Sequence, residues 1–208
     1  NGGWGAQGLR VRGKGQSLGL RALADGTGST EAPAAYHLGF VLGPRINAGG
    51  RVGQSDLGTR LLTTENEGEA LSLAERLNEL NGERQDIEAA VLDEATRLVD
   101  AKLAGDEPGP VVIAAGEGWH PGVIGIVASR LKERYNRPAC VISLMGDFGT
   151  ASGRSVSGAD LGNAVIAARQ AGLLIKGGGH AMAAGFTVER GKLAELEAFL
   201  SERIAQEL

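Results

Sequence analysis

The sequence has little of what stabilises a secreted domain or places a protein in a membrane. Its 208 residues include one cysteine, Cys140, and eight aromatic residues. A single cysteine cannot form an internal disulfide, which excludes a disulfide-bonded secreted scaffold and favours a reducing cytoplasmic location. No apolar run approaches the roughly 18 residues of a membrane-spanning helix, and no signal peptide is recognisable. We therefore expect a cytoplasmic protein that makes no membrane contact.

Motifs of several enzyme classes are missing as well. The chain has no Cys/His cluster, no HExxH motif, no Walker loop and no nucleophile elbow. Its histidines, His37, His120 and His180, are far apart in the sequence. The acidic residues concentrate in one stretch, so the chain does not present the converging carboxylates that a two-metal phosphoesterase needs. We expect no catalytic residue and no metal ligand in this chain.

Charge is distributed unevenly along the chain. The net charge is −4, yet residues 61–109 alone carry four Lys/Arg against thirteen Asp/Glu. The flanking segments 1–60 and 110–190 are mildly basic, with seven basic against three acidic residues and eight against five. These two segments are compatible with a polyanionic ligand although the whole chain is acidic.

Apolar spacing separates a helical connector from what precedes it. Residues 1–64 are typical of the tail of a preceding domain, and the start at Asn1 in a Gly-rich run indicates a piece of a longer protein. Residues 65–109 contain apolar side chains at three- and four-residue spacing, which predicts a helix. Because of Gly82, the pattern is compatible with one long helix that is weakened at this residue or with two helices that meet there. Thr64 and Glu67 have the spacing of a capping box.

Residues 110–208 alternate short apolar runs with helical patterns, which predicts an α/β domain with a mixed sheet flanked by helices. The predicted strands cover residues 111–115, 139–144, 148–156 and 185–188, and the predicted helices cover 121–135, 159–171 and 192–207. The apolar strand residues Val112, Ile113, Val141 and Ile142 are expected to be buried.

The stretch Lys176-Gly177-Gly178-Gly179-His180 is the first candidate for binding chemistry. Consecutive glycines carry an entropic cost that makes sense where something approaches the main chain closely. As a loop leading into a short helix, this segment would offer its N–H groups to a phosphate or carboxylate, with His180 as a further donor. A flexible turn with an incidental histidine is the alternative interpretation.

Further candidates lie at the ends of predicted elements. Arg154 and Ser155 follow the third strand, where a guanidinium and a hydroxyl could clamp a phosphate, although an isolated arginine is more often a surface residue. His120 precedes a predicted helix beginning with Pro121, so it either adjoins an anion-binding helix terminus or caps the helix. Cys140 lies in an apolar strand and is interpreted as a buried small hydrophobic residue rather than a nucleophile.

A turn-rich segment upstream contains Arg45, Asn47 and Arg51. Two arginines and an asparagine in such a segment could contact phosphate, and the segment could equally be an interdomain hinge. Its composition alone does not decide between the two.

Four of these stretches, in this order, resemble the DHH phosphoesterase superfamily, and within it the RecJ-type single-stranded-DNA-specific exonucleases. The stretches are residues 38–51 with Gly43-Pro44-Arg45-Ile46-Asn47-Ala48-Gly49-Gly50-Arg51, residues 118–128 with Gly118-Trp119-His120-Pro121-Gly122, residues 153–155 with Gly153-Arg154-Ser155, and residues 177–185 with Gly177-Gly178-Gly179-His180. The resemblance implies that residues 1–64 end a DHH domain, that 65–109 form the connector helix, and that 110–208 form the DHH-associated substrate-binding domain.

The resemblance also implies roles for individual residues. Gly177, Gly178, Gly179 and His180 match the motif that holds the nucleic-acid phosphate, and Arg154 and Ser155 match the motif lining the same cleft. Arg45, Asn47 and Arg51 match the motif at the end of the DHH domain. The metal-ligating Asp-His-His motif is absent from this chain, so Mn²⁺ or Mg²⁺ would bind in a part of the parent protein outside it.

The function implied by the resemblance is substrate binding in a metal-dependent 5′-to-3′ single-stranded-DNA exonuclease of DNA repair and recombination. The alternatives are an oligoribonuclease or nucleotide phosphatase of the same superfamily, and a non-catalytic nucleic-acid-binding module. Single-stranded DNA is the expected partner. The sequence does not determine the oligomeric state.

Overall fold

The computed structural model describes residues 17–27, 36–104 and 109–207. The chain divides into two compact units, residues 1–86 and residues 87–208. The division at residues 64 and 109 that the sequence suggests stays a prediction.

The first unit is helical. Its elements are α1 (Leu18–Asp25), a π-helical segment (His37–Leu42), α2 (Gly43–Val52), α3 (Leu57–Thr63) and the first half of α4 (Glu67–Leu103). Apolar side chains at helical spacing pack together between these elements, among them Leu23, Leu42, Leu61 and Leu77, each at most 1% exposed. Burial of these aliphatic side chains is the main stabilising contribution in this unit.

The connector predicted over residues 65–109 contains one continuous helix, α4, which Gly82 does not interrupt. The capping box predicted for Thr64 and Glu67 is replaced by a single N-cap two residues later, and the Asn66 N–H donates to the Thr64 hydroxyl at 3.2 Å. The Asn66 Oδ1 accepts a hydrogen bond from the Glu69 N–H at 2.9 Å, so Asn66 is the N-cap in place of Thr64. The Thr64 hydroxyl instead donates to the Glu69 carboxylate at 2.6 Å. Thr64 thus orients the side chain of the third helical residue, and Glu67 has no part in the cap.

The second unit is built on a five-stranded mixed sheet in the order β1-β2-β3-β5-β4. The strands are β1 (Val112–Glu117), β2 (Ala139–Met145), β3 (Phe148–Arg154), β4 (Lys176–His180) and β5 (Ala183–Glu189). β1 and β2 are parallel, and every other pairing is antiparallel. The predicted mixed sheet is confirmed, and Val112, Ile113, Val141 and Ile142 are all at most 5% exposed.

Helices cover the two faces of this sheet unequally. α6 (Leu161–Gln170) and α7 (Leu193–Ala205) pack on one face, where Cys140, Ile142, Phe186 and Val188 are buried against them. On the other face, α5 (Pro121–Tyr135) and the second half of α4 cover Val112, Ala114, Ala139 and Val141. The Trp119 indole N–H donates to the Glu94 carboxylate at 2.8 Å, which ties α4 to the loop before α5. α5 also packs against β3, so the helices of this face lie over β1, β2 and β3.

The glycine-rich segment differs from the sequence-based expectation. Residues 176–180 form the edge strand β4, which pairs with β5 through the two-residue turn at Ala181 and Met182. They are not a loop leading into a helix. Polyglycine has low intrinsic strand preference, so the pattern suggested a loop; pairing with β5 and packing of Gly177 beneath α6 favour the strand.

Candidate nucleic-acid interface

The antiparallel register brings two of the predicted residues into one row. Arg154 on β3 is opposite Ala183 on β5, and Ala183 is opposite His180 on β4. Residues opposite one another in a sheet point to the same face, so Arg154 and His180 flank the small side chain of Ala183. They are two strand spacings apart, on the order of 10 Å. A phosphate above Ala183 would lie between a guanidinium and an imidazole.

This row lies on the same face of the sheet as α5. The β3 residues alternate, with Ala151 buried under α6 and α7, and with Ser152 and Arg154 on the opposite face. A Cβ on Gly125 of α5 would come within 3.0 Å of both Arg154 Nη2 and Ser152 Oγ. Gly125 therefore leaves the space in which the guanidinium rests against the helix.

The Arg154 guanidinium is held by its own strand. Its Nη1 donates to the Ser152 hydroxyl at 3.2 Å and to the Gly153 carbonyl at 2.8 Å, and the residue is half-buried. These bonds use part of a five-donor group. The remaining donors can serve a phosphate while the side chain stays oriented.

The Ser155 side chain is buried and is bonded within its own loop. It is 1% exposed, and its hydroxyl donates to the Ala159 carbonyl at 2.7 Å. Its backbone N–H donates to the Met182 carbonyl at 2.9 Å, which joins the end of β3 to the β4–β5 turn. Ser155 thus fixes the loop next to Arg154 and His180, and direct contact with a ligand would require its hydroxyl to leave Ala159.

The glycines of β4 have different surroundings. A Cβ on Gly177 would meet Phe186 and Val165 at 3.0 Å, and one on Gly179 would collide with the Ala183 carbonyl. A Cβ on Gly178 would meet nothing within 4 Å. Packing within the fold therefore explains why residues 177 and 179 are glycine. Gly178 has no such constraint, and it leaves the main chain open on the face that carries Arg154 and His180.

The two histidines near these motifs each accept a backbone hydrogen bond. The exposed His180 accepts through Nδ1 from the Met182 N–H at 3.3 Å. His120 is the N-cap of α5, and its Nδ1 accepts from the Gly122 N–H at 3.0 Å. The capping interpretation of His120 is thus what the structure shows.

His120 and Arg154 lie at opposite ends of the strands. It follows the carboxyl end of β1, whereas Arg154 is opposite Ala139, the first residue of β2. The motifs do not gather at one end of the strands, because β3 and β4 run antiparallel to β1 and β2. Arg154 and His180 meet through register on the sheet face instead.

The upstream motif lies in the first unit, on α2. Arg45 donates through Nε to Asn78 Oδ1 and through Nη1 to the Val41 carbonyl, both at 2.6 Å. Partial burial lowers the pKa of Arg45 from its ordinary value. Asn47 and Arg51 are exposed, and Asn47 lines a cavity of about 220 Å³ with Gly50 and Thr59. Arg45 thus joins α2 to α4, while Asn47 faces an accessible concavity.

Sequence reasoning missed several polar residues of this face. Lys176 on β4, Thr187 on β5 and Thr150 on β3 are opposite one another and form a second row on the same face as Arg154. Their signal in the sequence is the two-residue period of strands, and it was hidden for Lys176 because residues 176–180 were interpreted as a loop.

Within the described ranges, no group of three or more His, Cys, Asp or Glu side chains is placed to hold a metal ion. The residues present there therefore do not supply the donor set that a divalent metal requires. None of the helices in the described part of the chain is both long and apolar enough to span a membrane.

Residues 109–206 match the DHHA1 domain family. The chain is 39% identical over 208 residues to the single-stranded-DNA-specific exonuclease RecJ of Salmonella typhimurium, covering 96% of this chain and 36% of that protein. This chain thus spans about a third of the length of that relative.

Solved structures of RecJ from Thermus thermophilus are similar as well. The complex with Mn²⁺ is 33% identical with a TM-score of 0.76, covering 91% of this chain and 27% of that one. The complex with Mg²⁺ is 34% identical with the same TM-score, covering 91% and 28%. Residues 109–206 therefore belong to the DHHA1 domain family, and the chain is similar over nearly its whole length to part of the RecJ exonucleases.

Proposed function

We propose that this chain is the substrate-binding part of a metal-dependent exonuclease that degrades single-stranded DNA in the 5′-to-3′ direction. The observation that carries the proposal is the row of Arg154, Ala183 and His180 on an open sheet face. The names of the relatives supply the substrate, single-stranded DNA. Because the chain spans 36% of its relative, the activity belongs to the parent protein, for which we propose a cytoplasmic role in DNA repair and recombination.

The geometry suits the backbone of a single strand. The floor of the face is formed by Ala183, Gly185 and Thr187 of β5, and these small side chains let a ligand approach the sheet. Arg154 and His180 stand on either side of this floor. Contacts of this kind bind phosphates and do not distinguish one base from another. The face therefore binds a strand of any sequence and fixes its position.

Mn²⁺ or Mg²⁺ is the proposed cofactor of the parent protein, since the related Thermus structures contain one or the other. The described residues offer no matching donor set, so we place the metal ligands in another part of the parent protein. We assign this chain the task of binding and orienting the strand. Hydrolysis would occur at the metal site of that other part.

Binding of labelled oligothymidylate to the 208-residue chain tests this proposal. Arg154→Ala removes a charge-assisted contact of about 1.5–3 kcal/mol, so fluorescence anisotropy should show a dissociation constant roughly tenfold to hundredfold larger. Added salt should weaken binding by the wild type, because phosphate contacts release counterions.

The matched control is Arg203→Ala. Arg203 is exposed on α7, which packs on the opposite face of the sheet, and its loss removes the same charge. An equal loss of affinity in both variants would refute the proposed face. A preference for r(U) over d(T) oligomers, or for mononucleotides, would favour the oligoribonuclease or nucleotide phosphatase alternative. A parent protein that binds DNA without degrading it would be a non-catalytic binding module.

A further inference from the structure

The second polar row lies at a defined distance from the first. Lys176, Thr187 and Thr150 are opposite one another on β4, β5 and β3. Along β5, Thr187 is four residues beyond Ala183, the centre of the first row. At about 3.3 Å per residue, the two rows are roughly 13 Å apart.

No side chain stands between the two rows on β4 and β5. The position midway is the cross-strand pair Gly178 and Gly185. A Cβ on Gly178 would meet nothing within 4 Å, and one on Gly185 would meet only the Ala151 carbonyl oxygen, at 3.7 Å. Thr150, Lys176 and Thr187 line a cavity of about 410 Å³ together with this glycine pair. Glycine is unfavourable within a strand, and the packing here does not require it, which points to a ligand that lies on the main chain.

The chemistry of the second row is that of a phosphate site. An ammonium group and two hydroxyl groups can all donate to anionic oxygens. Successive phosphates of one strand are joined by six covalent bonds of about 1.5 Å, which span about 6–7 Å when extended. Two such steps cover about 13 Å, the distance between the rows.

We infer that Lys176, Thr187 and Thr150 bind a second phosphate of the strand, two nucleotides from the phosphate held between Arg154 and His180. This inference rests on the proposed function and deepens it. The phosphate-binding surface formed by the two rows ends beyond Thr187, because the next residue of β5 on this face is Glu189, opposite Phe148. A carboxylate there disfavours a further phosphate.

Oligothymidylates without terminal phosphates provide the test. d(T)₂ has one phosphate and d(T)₃ has two, so d(T)₄ is the shortest oligomer with phosphates two nucleotides apart. In the 208-residue chain, Lys176→Gln should weaken the binding of d(T)₄ and d(T)₆ by about three- to tenfold and leave that of d(T)₂ and d(T)₃ unchanged. The slope of log affinity against log salt for d(T)₆ should decrease in magnitude by about 0.7, as expected for one lost phosphate contact on a single strand.

Lys132→Gln on α5 is the matched control, since it removes the same charge outside the row. Thr187→Val keeps the side-chain shape and removes one donor, and it should show the same length dependence with a smaller effect. If Arg154→Ala weakens binding while Lys176→Gln behaves like Lys132→Gln at every length, the second subsite is refuted and the proposed function stands. If the wild type binds no oligothymidylate, the proposed function fails and this inference with it.

Discussion

At the scale of single residues, the glycines of β4 separate what the fold requires from what a ligand requires. Gly177 and Gly179 have neighbours where a Cβ would be, and Gly178 has none. None of the three adopts the left-handed backbone conformation. Substitution by alanine at these positions therefore introduces no left-handed backbone strain.

We predict that Gly179→Ala lowers the free energy of unfolding by about 1–3 kcal/mol, because its Cβ would collide with the β5 main chain. Gly178→Ala should leave stability unchanged or raise it by up to about 1 kcal/mol, because alanine restricts the unfolded chain. Urea unfolding followed by circular dichroism measures both.

Gly178→Ala should nevertheless weaken oligothymidylate binding, since the added methyl group stands on the open face. A Gly178→Ala protein with wild-type affinity would show that the ligand does not approach β4 closely. A strongly destabilised Gly178→Ala protein would contradict the geometry of the strand itself.

Cys140 is a second residue whose surroundings determine its chemistry. It is fully buried, and burial raises the pKa of its thiol to about 12. At about pH 8 the thiol is neutral and shielded, so Ellman's reagent should react with it only after unfolding in guanidinium. Stoichiometric labelling of the native protein within minutes would contradict the burial.

The same pKa shift affects stability at high pH. The folded thiol keeps its proton up to a pKa of about 12, while the unfolded thiol loses it near 9. The contribution of Cys140 to the free energy of unfolding should therefore be fully present below pH 9 and decrease as pH rises towards 12. A Cys140→Ala variant should lack this part of the pH dependence.

At the scale of elements, tertiary contacts decide where α4 begins and where β4 forms. Thr64 and Glu67 have the capping-box spacing in sequence, yet in the structure Asn66 caps the helix by accepting a hydrogen bond from the Glu69 N–H. Both pairs have the required three-residue spacing. Sequence spacing alone does not distinguish them, because the backbone angles before the helix choose which side chain reaches a free N–H.

We predict that Asn66→Ala destabilises the protein by about 1 kcal/mol, the usual cost of losing an N-cap. Glu67→Gln should have a smaller effect, since the exposed Glu67 side chain pairs with the exposed Arg21 at the surface. The urea midpoint of each variant measures the difference. Equal destabilisation by both substitutions would support the capping box predicted from the sequence.

At the scale of the whole molecule, the proposed function separates strand binding from hydrolysis. All residues of the proposed binding face belong to the second unit, whereas the described residues hold no cluster of metal-ligating side chains. We therefore predict that the 208-residue chain does not degrade single-stranded DNA. Incubation of end-labelled oligonucleotide with Mn²⁺ or Mg²⁺, with EDTA as control, should leave it intact.

The Arg154→Ala variant distinguishes degradation by a contaminating nuclease from degradation by the chain itself. Metal-dependent degradation that persists through purification and falls in parallel with the affinity of Arg154→Ala would contradict the prediction. Degradation that is equal in both preparations would come from a contaminant and would leave the prediction intact.

Much of the fold could be predicted from local pattern. The three- and four-residue spacing of apolar side chains predicts α4, and the short apolar runs predict β1 and β2 with Val141 and Ile142 buried. These signals are local because burial of one helix stripe or one strand requires only the right period. The motifs containing Arg154 and His180 were also recognisable without a structure.

The sequence by itself determined which residues carry charge, which stretches are apolar and which motifs the chain shares with its relatives. Only the tertiary structure decided that Arg154, Ala183 and His180 form one row, that Ser155 is directed into its own loop, and that His120 lies at the opposite end of the strands. The physical reason is that strand order and direction depend on pairing between distant segments. Residues 154 and 180 become neighbours only when β5 pairs between β3 and β4, a choice that no local pattern contains.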